Sequence, residues 1–331
     1  MRAIQVASFG GPEVLSPVEL PDPVPGPGQV VVGMAVADVI FLDTMLRGGW
    51  GQDSFRRELP YVPGFGGAGE VLQTGEGVDL AWVGRRVVVW AATGYAERLV
   101  ADVEAILPVP GGLTAETAAA LVHDGVTALR LDRLGVPEKG EGVLVMASAG
   151  GAGALLVQLA VDAGARVVAA ASSDAKLALA RELGAEITVD YARPGWIELV
   201  REATDGGAAL VYDGAGGPLG TAAVQAVSDG GRFVTYGTAG GLAAPDPELT
   251  ARRGVRVLAP LLDGPLDQET MRALLGLALE RAAEGRLRPA IGAVYPLERA
   301  ADAHRALAAR ATVGKSLLLV GAERPAGGRA M

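Results

Sequence analysis

The sequence predicts an α/β protein in which a partly open antiparallel β-barrel is joined to a doubly wound parallel sheet. Residues 1–110 contain short β-rich runs separated by glycine and proline turns, which is typical of antiparallel strands. From about Leu121 the chain alternates helix-like and strand-like segments, a pattern that predicts a parallel sheet with crossover helices. A glycine-rich turn after the first of these later strands agrees with the second prediction.

Composition narrows the classes of function. The chain has 331 residues, enough for about two domains, and a formal net charge of −9, which argues against partners such as nucleic acid or an anionic membrane. It has no cysteine, which excludes disulfides, thiol catalysis and thiolate zinc sites. Its histidines are His123 and His304, too few for a histidine-based metal centre. The N-terminus lacks the pattern of a signal peptide, so we expect a cytoplasmic protein.

The first region has strand propensity without helical periodicity. Its β-rich runs are 3–6, 30–32, 70–72 and 86–89, and the turns between them include 23–28 and Pro63-Gly64.

The second region alternates strands and helices. Strands are predicted at 143–146, 166–171, 187–189, 210–212 and 232–236, with an edge strand at 255–258. Helices are predicted at 154–163, from Ser173 to Gly184, at 196–202, at 219–227 and at 269–283.

Three segments follow from this pattern. Residues 1–120 form the first domain, 121–288 form the parallel-sheet domain, and 289–331 return to the first domain, with a mobile tail from Glu323. The uncharged stretch 142–161 is long enough to span a bilayer. Glycines interrupt its middle, so a strand, a turn and a helix are favoured over a membrane span.

The glycine turn carries the strongest chemical signal. A predicted buried strand runs into Ser148, and Gly150, Gly151, Ala152 and Gly153 open the following helix. Glycine lets the backbone approach a pyrophosphate, and the helix N-terminus offers free N–H donors and a positive dipole end. The first glycine of the usual G-x-G-x-x-G pattern is Ser148 here. A tight strand–helix connection is the alternative, but the βαβ context favours dinucleotide binding.

The end of the second strand of this sheet discriminates between NAD and NADP. Ser172, Ser173 and Lys176 offer two hydroxyls and an ammonium group for a 2′-phosphate. The alternatives are that Ser173 only caps its helix and that Lys176 is a solvated helix residue. Asp174 could instead hold the ribose hydroxyl of NAD. We predict NADPH.

Motifs spread over the whole chain resemble those of the medium-chain dehydrogenase/reductases, in particular the zinc-free quinone oxidoreductase (zeta-crystallin-like) branch. They occur in the family's order, which makes the set more specific than any single motif. They are 1–5, 9–15, 63–71, 94–97, the glycine turn, 190–191, 213–217, 230–234, 296–304 and 314–315.

The resemblance implies a GroES-like partly open β-barrel catalytic domain and a Rossmann NADP-binding domain, with the cofactor in the cleft between them. It implies that Thr127 lies near the nicotinamide and Gly237 beside the cofactor. It also implies that Ser172, Lys176 and Tyr191 lie at the adenosine phosphate. His123 precedes Thr127 by one helical turn and is either a cleft-wall residue or a satisfied polar residue of a helix.

Departures from the family pattern concern the metal and the substrate. Residues 63–66 (Pro-Gly-Phe-Gly) lack the His and Glu of the zinc-dependent branch, so no metal is expected. The branch's pocket Asn and Tyr are replaced by Ile40 and Met45, which with Trp50 predict a more apolar pocket. Asp38 or Asp43 could supply the missing polarity, or each could be an ordinary surface or turn carboxylate.

These features predict an NADPH-dependent, zinc-independent oxidoreductase that transfers hydride to an apolar quinone or other α,β-unsaturated carbonyl. The alternatives are an enoyl-thioester or secondary-metabolite tailoring reductase, and an NADPH-binding protein with little turnover. His304 is interpreted as a structural residue of the amphipathic C-terminal helix. The family resemblance and the β-prone run 254–259 predict a homodimer formed through edge strands, although Arg252, Arg253 and Arg256 could also protect a monomeric edge.

Overall fold

A computed structural model describes residues 1–53, 56–264 and 266–320. The chain divides into two compact units. The first unit contains Met1–Val122, Ala293–Arg310 and the chain from Ser316 onward, and the second contains His123–Gly292 and Ala311–Lys315. The tail from Glu323, predicted to be mobile, lies outside the described residues.

Strands and helices are numbered in chain order over the described residues. The strands are β1 Arg2–Val6, β2 Leu15–Glu19, β3 Gln29–Val39, β4 Gly66–Thr74, β5 Arg86–Trp90, β6 Arg98–Asp102, β7 Ile106–Pro108, β8 Gly142–Met146, β9 Arg166–Ala171, β10 Ile187–Asp190, β11 Ala208–Asp213, β12 Val227–Thr235, β13 Arg256–Leu258, β14 Ile291–Pro296 and β15 Lys315–Leu319. The α-helices are α1 Phe41–Arg47, α2 Ala115–Leu121, α3 Asp124–Gly135, α4 Gly151–Asp162, α5 Asp174–Glu182, α6 Trp196–Ala203, α7 Gly217–Ala223, α8 Pro247–Arg252, α9 Gln268–Ala283 and α10 Ala300–Ala308.

An antiparallel sheet organises the N-terminal region. Its strand order is β14-β15-β3-β4-β5-β7, with β6 paired to β3, and β1 and β2 form a separate two-stranded sheet. Strands β3 and β4 approach closely, because a Cβ on Gly69 would lie 2.1 Å from the carbonyl oxygen of Gly33. The predicted runs 3–6, 30–32, 70–72 and 86–89 all lie in strands.

Helices α1 and α10 complete the first unit. Helix α1 follows β3 directly, and α10 packs against it. Ala300 and Ala303 of α10 are buried in the same apolar core as Ile4 of β1 and Val32 of β3. This packing fixes α10 on the barrel although it is more than 200 residues from α1 in sequence.

The second unit is built on a six-stranded parallel sheet. Its order is β10-β9-β8-β11-β12-β13, in which the chain moves outward from β8 first to one side and then to the other. Strand β8 is almost wholly buried, as expected for a parallel sheet covered on both faces. The α/β fold class with a doubly wound parallel sheet is thereby confirmed, and β13 lies at the edge predicted for 255–258.

Two predicted helix boundaries are wrong. Helix α4 begins at Gly151 rather than at residue 154, so Gly151 and Gly153 lie inside its first turn and Gly150 is its N-cap. Helix α7 spans Gly217–Ala223 instead of 219–227. A proline in its first turn starts α7 early, and Val227 is buried as the first residue of β12.

The stretch 142–161 folds as β8, a turn and most of α4, as predicted. None of the helices in the described part of the chain combines the length and apolarity needed to cross a bilayer.

Candidate functional site

The glycine turn after β8 presents an open helix N-terminus. Ala147 adopts a left-handed conformation (φ 51°), and the Gly150 amide donates to its carbonyl oxygen at 2.9 Å. Gly150 is the N-cap of α4, and no side chain caps the helix there. The first amides of α4 are therefore suited to an anionic ligand.

The absence of side chains in this turn is a geometric requirement. A Cβ on Gly153 would lie 2.3 Å from the carbonyl oxygen of Ala147, and one on Gly150 would lie 3.3 Å from the same atom. Gly153 therefore permits the helix to pack on the strand end, whereas Gly150 leaves space in front of the helix. Ala152, predicted with them, is a buried residue of the first turn of α4.

Ser148 has a structural role that the cofactor prediction did not anticipate. Its side chain is fully buried, and its hydroxyl donates to the carbonyl oxygen of Ala170 in β9 at 3.2 Å. The hydroxyl thus ties the turn to the neighbouring strand.

A carboxylate and an ammonium group flank the turn, and sequence reasoning missed both. A Cβ on Gly151 would lie 1.8 Å from Oδ2 of Asp124, the first residue of α3. That oxygen is 2.7 Å from Nζ of Lys315, a nearly buried residue. The preceding amide, of Gly314, donates to the carbonyl oxygen of Ala149 at 2.7 Å. Lys315 therefore offsets negative charge beside the place where an anion would bind. In the sequence, Lys315 belongs to the motif 314–315, and Asp124 follows the candidate His123.

His123 and Thr127 lie at the start of α3. Burial and the nearby Lys315 lower the pKa of His123 to about 4, so the imidazole is neutral at pH 7. The residue retains partial exposure, but its Nδ1 is buried. Thr127 is partly exposed, one turn after Asp124, and its amide donates to the His123 carbonyl oxygen at 2.9 Å.

The carboxyl ends of β9 and β10 bring the predicted phosphate ligands together. The ammonium group of Lys176 lies 3.4 Å from the hydroxyl of Ser172. The Tyr191 amide donates to the carbonyl oxygen of Ala171 at 3.1 Å, which places Tyr191 beside Ser172. Ser173 is the N-cap residue of α5, but its side chain makes no capping hydrogen bond.

Asp174, the alternative NAD-type ligand, is exposed in the first turn of α5. The segment after β9 therefore carries one positive side chain, Lys176, and one negative side chain, Asp174. Lys176 is the one in contact with the Ser172 hydroxyl.

A second ordered loop follows β11. The buried carboxylate of Asp213 accepts hydrogen bonds from the amides of Ala215 and Gly216, both at 3.0 Å, and from the Thr235 hydroxyl at 2.9 Å. Gly237 donates its amide to the Asp213 carbonyl oxygen at 3.0 Å. These bonds place Gly237, as one loop with the Asp213 turn, at the carboxyl ends of β11 and β12. The sequence motif contained Asp213 but did not reveal its role.

These features share one location in the second unit. The glycine turn, the Ser172–Lys176 pair and the Gly237 loop all follow the carboxyl ends of adjacent parallel strands. Such ends form the ligand crevice of doubly wound sheets. A turn without side chains for a pyrophosphate and an ammonium–hydroxyl pair for a phosphate fit a pyridine dinucleotide.

The apolar pocket candidates differ in exposure. In the first unit, Ile40 is the N-cap residue of α1 and is buried, Met45 is partly exposed, and Trp50 is 43% exposed. Met45 and Trp50 can therefore meet a ligand, whereas Ile40 is mainly a core residue. His123 and Thr127, predicted with them, belong to the second unit.

Asp38 and Asp43 are buried rather than surface carboxylates. Oδ2 of Asp43 accepts a hydrogen bond from the Ile40 amide at 3.0 Å and another from the Tyr95 hydroxyl at 3.1 Å. Asp43 is therefore a buried residue in the first turn of α1, where its carboxylate caps the helix.

Residues 63–65 lie between the Tyr61 bridge and β4, and Gly66 is the first residue of β4. Within 1–53, 56–264 and 266–320, no group of three or more histidine, aspartate or glutamate residues has the arrangement of a metal site.

The lowered pKa values of the two histidines predict that the folded protein loses stability in acid. Burial holds the pKa of His304 at about 3 and that of His123 at about 4, whereas an unfolded histidine titrates near 6.5. Below pH 6.5 the unfolded chain therefore binds more protons than the folded chain, so the free energy of unfolding falls by up to about 1.4 kcal/mol per pH unit for each histidine.

Thermal unfolding measured between pH 7 and pH 5 gives this dependence of stability on pH. We expect the free energy of unfolding of His304→Gln to fall less steeply with decreasing pH than that of the wild type. Equal slopes would contradict a lowered pKa for His304 in the folded protein.

Family comparison agrees with both units. Residues 26–128 match the alcohol dehydrogenase GroES-like domain, and residues 151–280 match the zinc-binding dehydrogenase family. A quinone oxidoreductase from Pseudomonas aeruginosa is 34% identical over 327 residues, covering 96% of this chain and 99% of its own.

Solved structures are similar over nearly the whole length. A mycobacterial protein complexed with NADPH is 34% identical with a TM-score of 0.88, covering 97% of this chain and 100% of its own. An NAD-dependent alcohol dehydrogenase is 33% identical with a TM-score of 0.87 and the same coverage. The chain therefore belongs to the medium-chain dehydrogenase/reductase family, in its quinone oxidoreductase branch, and is an oxidoreductase.

Proposed function

We propose that this protein is an NADPH-dependent, zinc-independent oxidoreductase that transfers hydride to a quinone or other α,β-unsaturated carbonyl. The contact between Lys176 and Ser172 at the end of β9 carries the cofactor assignment, because an ammonium group and a hydroxyl recognise a 2′-phosphate. The NADPH bound to the mycobacterial relative and the name of the Pseudomonas relative support the proposal.

The second unit would hold the cofactor through its backbone and a few side chains. The amides at the start of α4 would bind the pyrophosphate in the space left by Gly150. Lys176, with Ser172, Ser173 and Tyr191, would bind the adenosine phosphate, and the family resemblance implies that Thr127 and Gly237 would lie toward the nicotinamide. Bound NADPH supplies the hydride.

The first unit would supply an apolar surface for the acceptor. Met45 and Trp50 are exposed enough to contact a ring or chain, next to the buried Ile40. Hydride addition to a conjugated carbonyl spreads the negative charge through the π system. A backbone amide is then sufficient to stabilise the oxygen by a hydrogen bond, water can supply the proton, and a zinc ion is not required.

We expect NADPH oxidation with naphthoquinones and aryl enones and little with simple aldehydes. NADPH oxidation is followed by the absorbance of reduced nicotinamide. All acceptors are compared at the same concentration in the presence of a strong metal chelator. Turnover of enoyl thioesters alone would favour the tailoring-reductase alternative. NADPH binding without turnover of any acceptor would favour a binding protein, and activity restored only by zinc would contradict the mechanism.

The edge strand β13 supports a homodimer as a second proposal. Val257 in its middle is 40% exposed at the edge of the six-stranded sheet, and pairing two such edges would cover it. Of the nearby arginines, Arg253 is bonded within its own chain, to Asp229 at 2.7 Å. Light scattering coupled to size exclusion should give twice the chain mass of 33.6 kDa, and a mass near 33.6 kDa would mean a monomer.

A further inference from the structure

A buried polar network connects α1 and α10 within the first unit. The Nε2 atom of His304 lies 3.0 Å from the hydroxyl of Tyr95, which lies 3.1 Å from Oδ2 of Asp43. On the other side of the ring, Nδ1 of His304 lies 3.3 Å from Nη1 of Arg47. All four side chains are buried. Four polar groups in an apolar core are costly unless each is paired.

The chemistry of Arg47 fixes the direction of every hydrogen bond in this network. A guanidinium only donates, so Nδ1 of His304 accepts and carries no proton. The ring proton is then on Nε2 and is donated to the Tyr95 oxygen. Tyr95 therefore donates its own proton to the Asp43 carboxylate. The hydrogen-bond partners thus assign a neutral Nε2–H tautomer to His304.

The same network contacts both ends of α1. At the N-terminal end, Oδ2 of Asp43 also accepts the amide of Ile40 at 3.0 Å, so the Tyr95 bond orients the carboxylate that holds the N-cap residue of the helix. At the C-terminal end, Nε of Arg47 donates to the Gly10 carbonyl oxygen at 3.2 Å. The His304 imidazole on α10 is therefore connected to both ends of α1. It contacts Arg47 at the C-terminal end directly, and it reaches Asp43 at the N-terminal end through the Tyr95 hydroxyl.

Hydrogen bonds depend on direction, so bonds at both ends of α1 restrict the rotation of the helix about its axis. Rotation of α1 determines how far Met45 emerges beside the buried Ile40. Met45 is one of the residues that the proposed function assigns to the acceptor pocket.

We propose that His304, as the neutral Nε2–H tautomer, is a positioning residue that orients α1 through Tyr95 and Arg47 and thereby sets the acceptor-binding surface at Met45. The inference rests on the proposed function for the role of Met45. The hydrogen-bond network is independent of that function. His304 touches neither substrate nor cofactor in this scheme. It acts on acceptor binding and leaves cofactor binding to the second unit.

Nitrogen-15 NMR of histidine-labelled protein tests the tautomer. The chain has two histidines, and the spectrum of His304→Gln identifies the His304 signals by their loss. At pH 7 we expect one protonated and one unprotonated ring nitrogen, with the proton on Nε2. A proton on Nδ1, or protons on both nitrogens, would overturn the hydrogen-bond assignment whatever the enzyme's activity.

Steady-state kinetics test the positioning role. Tyr95→Phe keeps the buried ring but removes the link from His304 to Asp43, so we expect the KM for the acceptor to rise about tenfold, the equivalent of one hydrogen bond. The dissociation constant for NADPH should change less than twofold. His304→Gln keeps an amide donor for Tyr95 and should remain closer to wild type than His304→Leu, which keeps only bulk.

Leu307→Ala provides the matched control on α10. Leu307 packs against the apolar core and has no part in the network, so its truncation should lower the melting temperature without raising the acceptor KM. If Leu307→Ala raises KM as much as Tyr95→Phe does, or if the Gln and Leu variants of His304 are equal, the role is packing alone. Wild-type turnover on the acceptor panel decides the proposed function separately, since it does not depend on these comparisons.

Discussion

Replacing Lys176 with alanine is expected to weaken NADPH binding by roughly tenfold to a hundredfold and to change NADH binding less than twofold. A charge-assisted hydrogen bond contributes about 1.5–3 kcal/mol, and each 1.4 kcal/mol corresponds to a factor of ten. Only NADPH carries the 2′-phosphate that the Lys176–Ser172 pair is placed to contact. With two such bonds, the wild-type protein should prefer NADPH by about a hundredfold or more. Titration by nicotinamide fluorescence measures both constants.

Lys139→Ala is the matched control for Lys176→Ala. Lys139 is an exposed lysine of the second unit, outside the β9–β10 strand ends, so its loss changes the net charge equally but removes no proposed ligand. Its NADPH constant should equal that of the wild type. Equal wild-type constants for NADPH and NADH would contradict the cofactor assignment and would favour Asp174 as a ribose ligand.

Two alanine substitutions in the glycine turn should have separable effects. Gly150→Ala places a Cβ no closer than 3.3 Å to its nearest neighbour at an ordinary φ of −80°. The fold should therefore keep its melting temperature within about 4 °C. The added methyl group occupies the space in front of the α4 amides, so NADPH binding should weaken at least about tenfold, the loss of one charge-assisted bond.

Gly153→Ala should instead destabilise the protein. Its Cβ would lie 2.3 Å from the Ala147 carbonyl oxygen and 3.0 Å from the adjoining carbon, so backbone must move. Overpacking costs about 1–3 kcal/mol. A clash with backbone falls at the upper end of that range and exceeds the roughly 1 kcal/mol that alanine gains over glycine in a helix. The melting temperature should fall by roughly 4–8 °C. Calorimetry and cofactor titration on both variants test the distinction, and a Gly153→Ala protein as stable as wild type would refute it.

The parallel sheet and its cofactor site could be predicted from sequence because their signals are local. Buried runs of β-branched residues, a glycine turn and hydroxyl and ammonium groups after the second strand all fall within a few residues of each other. Parallel strands deliver their carboxyl ends to one edge, so locating each strand end in sequence also located Ser172, Lys176 and Tyr191.

Contacts between distant segments lay beyond any sequence pattern. Asp124 and Lys315 are 191 positions apart and meet beside the glycine turn at 2.7 Å, and Asp43 reaches Tyr95 and through it His304. Periodicity reports which face of an element is apolar, but it does not report which polar side chain of another element lies opposite. For the same reason the glycine motif does not reveal that the Ser148 hydroxyl donates to the carbonyl oxygen of Ala170. The sequence determined the fold class and the family of this protein, and it located the candidate phosphate-binding residues. Tertiary structure alone decided which buried polar groups pair with one another, because that depends on the packing of elements far apart in the chain.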